Sequence, residues 1–105
     1  MAYTDDEFNA RILKCIDEVL SSFGDSPRTL LYYMIIKECR LSREQFPLKP
    51  VELGECLGRI LGETGYRFIE RLTIRQIQAS FGFSVKEGSN LSEAIDQARI
   101  RFVAC

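Results

Sequence analysis

Four cysteines, Cys15, Cys39, Cys56 and Cys105, are the residues best suited to nucleophilic or redox chemistry in this 105-residue chain, which has no histidine and no tryptophan. A thiol becomes a nucleophile when a nearby base or cation lowers its pKa. With no imidazole, the usual base is missing. The cationic neighbours are Lys14 beside Cys15, Arg40 beside Cys39, and Arg59 three residues after Cys56. No cysteine opens a segment that reads as a helix. Cys15 and Cys56 instead fall on or at the edge of apolar stripes, where cysteine behaves as a small buried hydrophobe. Consecutive cysteines are at least 17 residues apart and none forms a C-x-x-C pair, so no zinc-ligand spacing is present. This spacing, together with a polar, acidic start and no membrane-length apolar run, leads us to expect reduced thiols and a soluble, cytoplasmic protein. Cys105 reads as an exposed thiol at the chain end.

Other chemistries are less well provided for. Glu44, Glu52, Glu55 and Glu87 fall in segments that read as solvated, and nothing selects a catalytic pair among them. Asp5, Asp6 and Glu7 suit the first turn of a helix better than a cation site. The glycines around 53–58 and 61–65 follow no strand and lack the Gly-Lys-Ser/Thr end of a phosphate loop. The sequence therefore assigns no catalytic residue, no cofactor and no metal. One charged pattern stands out. Arg67, Arg71 and Arg75 recur every four residues, with Gln78 near the same line. Guanidinium groups in such a row can grip phosphate or an acidic partner. They can also form a solvated edge, since Glu63 precedes Arg67 by four residues and Glu70 follows it by three.

The elements that must position these groups read as helical almost throughout, giving an all-α, single-domain bundle of about five helices over 1–105. The first spans 4–23, with Thr4 as its cap, an apolar face of Phe8, Ile12, Leu13, Ile16, Val19, Leu20 and Phe23, and Gly24 as its stop. The second is capped by Asp25 or Ser26, takes Pro27 as its first residue and ends near Arg40. A single turn covers 42–46. The third helix spans 50–61 and stops at Gly62; Gly54 and Gly58 either mark a face where another backbone can come close or simply weaken the helix. The fourth spans 64–81 and has two apolar sides: Tyr66, Ile74, Ile77 and Phe81 against Phe68, Ile69 and Leu72. The fifth begins near Asn90, with Glu93 completing a capping box, and carries Leu91, Ile95, Ala98 and Phe102 on one stripe.

Charge and hydropathy narrow the function classes. The chain has 14 Lys+Arg against 15 Asp+Glu, a net charge of -1, so a globally basic nucleic-acid binder is disfavoured. Residues 77–84 resemble the turn of a helix-turn-helix, but 86–90 interrupt the helix that should follow. No signal peptide is evident at the start, and no apolar run exceeds seven residues, well short of a membrane span. That longest run, from Leu30 to Ile36, covers every side of the second helix. Such a helix needs cover all round, which a domain this small rarely provides. Leu31, Tyr32, Tyr33, Met34 and Ile36 are therefore the candidate interface, for a protein partner or a homodimer. The alternative is a central helix with only its tyrosine tips wet.

Several segments together resemble a known family. They are Ile16-Asp-Glu-Val-Leu-Ser-Ser-Phe-Gly24, Tyr32-Tyr33, Phe46-Pro-Leu-Lys-Pro50, Leu57-Gly-Arg-Ile-Leu-Gly62, Phe68-Ile-Glu70 with Ile74, and Phe81-Gly82. Across 12–98 the chain resembles the small archaeal helical domain called the Nitrosopumilus output domain. The resemblance implies an archaeal source, a compact helical fold and a signalling-output or interaction role, and it supplies no catalytic residue. A non-enzymatic, self-associating interaction module is the expected function. An anion or nucleic-acid contact through the arginine row is the alternative.

Overall fold

The structure, a computed structural model, describes residues 5–104, with side chains from 6 to 102. The expected cap Thr4 and the terminal Cys105 lie outside the described residues. Among these residues are four α-helices and one 3-10 turn: α1 (Asp5–Ser21), α2 (Asp25–Cys39), the turn Arg43–Gln45, α3 (Pro50–Phe81) and α4 (Leu91–Ala104). The all-α expectation holds. The count of five does not, because the two helices expected over 50–61 and 64–81 run together as α3. The joint is Gly62, whose φ of 81° and ψ of 167° are non-helical and suit a residue with no Cβ. The expected stop is thus a bend, and it folds the second arm of α3 back against the first. The phenol of Tyr66 in the second arm reaches the backbone of Gly54 in the first.

Helix α1 holds the centre. Its stripe of Phe8, Ile12, Leu13, Ile16, Val19 and Leu20 is buried, whereas Phe23, expected on the same stripe, lies past the end of the helix at Ser21 and is 42% exposed. It packs against α2, α3, α4 and the 3-10 turn. Each fully buried side chain of this kind contributes roughly 1.5–3 kcal/mol. Phe8, Phe81 and Phe102 form a triangle of rings 5.6–6.1 Å apart that joins α1, the end of α3 and α4. Arg11 lies 5.0 Å above the Phe81 ring, and Arg99 4.5 Å from that of Phe8.

Helix α2 is marginal, not central. Of its residues only Ile35 is fully buried. Leu30 and Tyr33 are each 58% exposed, and Ile36 is 52% exposed. The wet-tipped central helix is therefore excluded. α2 has no polar face that would set its orientation, whereas the amphipathic stripe of α1 commits it to the middle. The start of α2 also differs from expectation. Gly24, with φ of 108°, is its cap, neither Asp25 nor Ser26 bonds as one, and Pro27 is the third helical residue.

Pro50 opens α3, and Gly82 closes it in a left-handed turn whose N–H donates to the Gln78 carbonyl. The Asn90–Glu93 capping box forms as expected. The Glu93 N–H donates to Asn90 Oδ1 at 2.8 Å, and the Asn90 N–H to Glu93 Oε1 at 2.9 Å. No helix among the described residues is long and apolar enough to cross a membrane.

Candidate functional site

The cysteines depart most from expectation. Cys39, at the end of α2, and Cys56, in the first arm of α3, form a disulfide with a Cα–Cα distance of 6.1 Å. The expectation of reduced thiols is thereby corrected for Cys39 and Cys56. Two cysteines 17 residues apart on different helices give no local signal, because only the packing of α2 on α3 joins them. Cys39 is partly exposed, with the Arg59 guanidinium 3.5 Å from its Sγ. Cys15 is free and buried, as its place by the α1 stripe implied. Its thiol points at the Gln76 carbonyl, 3.8 Å away. Burial pushes that thiol's pKa up, away from the thiolate a nucleophile needs.

Two surfaces remain as sites. The first is an apolar groove of about 560 Å³ between α2 and the bend of α3. Of the five interface candidates it takes in Leu31 and Met34. Tyr33 and Ile36 are exposed but lie outside it, Tyr33 with the Lys37 ammonium 5.7 Å from its ring. Tyr32 turns inward instead. Its ring stacks on Phe46 at 5.9 Å, and its hydroxyl donates to Asp17 Oδ1 at 2.8 Å. The same oxygen takes the Arg28 guanidinium at 3.0 Å. Burial and then the Asp17 carboxylate push the Tyr32 pKa up to about 12. The Tyr32 hydroxyl, followed by Arg28, holds the Asp17 pKa below its usual value.

Leu30, Phe23, Leu61 and Phe68, which are not among the five candidates, also line the groove. Phe68 is 51% exposed, and its ring lies 6.1 Å from that of Phe23. The sequence did contain a sign of this: the second apolar side of the 64–81 segment. An apolar side calls for cover, and Phe68 on that side stays open beside the bend at Gly62.

The second surface is a polar cleft of about 1140 Å³ along the second arm of α3. The first arm forms one wall and the 85–90 connector the other. Arg67, Arg71 and Arg75 all line it. Arg67 is bound to Glu63 at 2.8 Å. Lys86 and Gln78 also line the cleft; Lys86 lies on the connector, which local sequence gave no reason to place beside the arginine row.

No protein-family model, curated protein or solved structure matches the chain.

Proposed function

We propose that this chain is a non-enzymatic module that pairs with a second copy of itself through the groove between α2 and the bend of α3. The observation that carries this reading is the pair Leu30 and Phe68, more than half exposed on opposite sides of one apolar groove. Monomers rarely leave such a surface bare. The six exposed side chains Phe23, Leu30, Tyr33, Ile36, Leu61 and Phe68 offer on the order of 500 Å² of apolar area. A stable dimer covers about 800 Å² on each partner, so this area suits the apolar centre of such an interface, completed by a polar rim.

Charge favours a second copy over a charged partner. Arg28 is the one charged residue lining the groove, and it is already paired with Asp17. Two identical surfaces can therefore meet without repulsion, as a two-fold interface requires. We further propose a signalling-output role for this pairing, as the resemblance across 12–98 implies.

Sedimentation velocity across a range of concentrations tests the reading. A dimer that dissociates on dilution, and that Leu30→Glu with Phe68→Glu abolishes while helicity is kept, is the expected result. A wild-type chain that stays monomeric at high micromolar concentration overturns it.

A further inference from the structure

Along the polar cleft, three cations have no ion pair among the described residues. Four Lys/Arg residues line it (Arg67, Arg71, Arg75 and Lys86) against four glutamates (Glu55, Glu63, Glu70 and Glu87). Two of those glutamates are committed. Glu63 binds Arg67 at 2.8 Å. Glu70 Oε2 accepts the Tyr66 hydroxyl at 2.7 Å and the Leu91 N–H at 2.9 Å. Among the described residues Arg71, Arg75 and Lys86 form no ion pair. Arg71 and Arg75 stand one turn apart on the same helix, where like charges repel, and both are exposed. Lys86 is held near them because the Val85 N–H donates to Gln78 Oε1 at 2.8 Å, one turn past Arg75.

We propose that this end of the cleft binds a small oligophosphate, with Arg71 and Arg75 giving forked contacts and Lys86 a third positive charge. Guanidinium forks match phosphate oxygens, and a rise of about 6 Å over four residues lets two flexible side chains close on one phosphate chain. A small anion fits better than a duplex. The cleft is walled on two sides, its lining charges balance overall, and the chain carries a net charge of -1. A long polyanion would meet Glu55, Glu63 and Glu87 as well as the arginines.

The test is calorimetric titration of the full chain with tripolyphosphate and, separately, with ATP at low ionic strength. Chemical-shift mapping of the backbone amides accompanies both. Saturable binding is expected, with shifts centred on 71–78 and 85–90. Arg71→Ala with Arg75→Ala should weaken binding by about tenfold or more at unchanged helicity. The charge-matched control Lys14→Ala with Arg59→Ala should leave it unchanged. Equal affinities for the two probes assign the site to the phosphate chain itself, and tighter ATP binding assigns it to a nucleotide; both support the proposal. It is overturned if neither probe saturates, if the control variant loses as much affinity, or if duplex DNA binds more tightly than tripolyphosphate at equal phosphate concentration.

Discussion

The Tyr66 hydroxyl occupies the space that a side chain at Gly54 would need: a Cβ built on Gly54 falls 2.8 Å from Tyr66 Oη and 3.3 Å from Cζ. This contact lets the two arms of α3 close on each other across the bend at Gly62. Gly58, four residues further along the same arm, has nothing within 4 Å of its would-be Cβ. The two glycines should therefore respond oppositely to alanine. Gly58→Ala should stabilise by about 0.5–1 kcal/mol through helix propensity alone. Gly54→Ala gains the same amount, but it must displace a phenol held by Glu70, an overpacking cost of about 1–3 kcal/mol. A net loss is expected. Adding Tyr66→Phe should recover part of it. Urea denaturation of wild type, Gly54→Ala, Tyr66→Phe and the double variant closes the cycle, and a Gly54→Ala protein as stable as Gly58→Ala would show that the arms do not pack this way.

The Cys39–Cys56 bond closes a loop of sequence separation 17 between α2 and α3. A loop of that size restricts the unfolded chain by about 3 kcal/mol in the chain-entropy account. Reducing the protein, or replacing both cysteines with alanine, should lower stability by about 2–4 kcal/mol. A thiol count in denaturant should rise by two on reduction. Equal thiol counts before and after reductant, with unchanged melting, would mean that the bond is not formed in solution.

Asp17 and Tyr32 make stability depend on pH at both extremes. The folded-state pKa of Asp17 lies below its ordinary value of 3.8, so its contribution is present above that pH and is lost as pH falls below it. Tyr32 shifts the other way, from 10.0 to about 12. Its contribution is complete below pH 10 and fades as pH rises from there towards 12. With solvent screening taken into account, the alkaline loss from Tyr32 is on the order of 1–2 kcal/mol. Tyr66, also raised by burial and by Glu70, adds to the same limb. Tyr32→Phe should flatten part of the decline above pH 10 in chemical denaturation curves. An identical slope in wild type and variant would remove Tyr32 from this role.

Local pattern accounts for what was legible in the sequence. The α1 stripe, the break at Gly62, the stop at Gly82 and the Asn90–Glu93 box are each written within a few neighbouring residues. The stripe is buried, Gly82 and the box act as expected, and Gly62 breaks the helical backbone as a bend where a stop was expected. The place of α2 was not legible. A helix apolar on every side carries no phase information, so its exposed margin depends on α1 having taken the centre. The disulfide and the joining of Lys86 to the arginine row depend on contacts between segments distant in sequence. Gly54 was legible as a point of close approach, but its occupant was not: the expectation was a backbone, and a tyrosine side chain fills the space.

Glu70 ties the second arm of α3 to the start of α4 through one carboxylate oxygen. Its Oε2 receives the Tyr66 hydroxyl from the turn before it and the Leu91 N–H at the start of α4, 21 residues further on. The second bond satisfies one of the unpaired donors of the α4 N-terminus and sets a negative charge against the positive end of the helix dipole. Glu70→Gln keeps an acceptor but loses the charge, and should cost about 0.5–1 kcal/mol. Glu70→Ala leaves both donors unmatched in a partly buried place, and should cost about 2–3 kcal/mol. Hydrogen exchange resolves where the loss falls. Faster exchange is expected at the first turn of α4 and around Tyr66, with α1 and α2 protected as before. Uniform acceleration along the whole chain would show that Glu70 acts only through global stability.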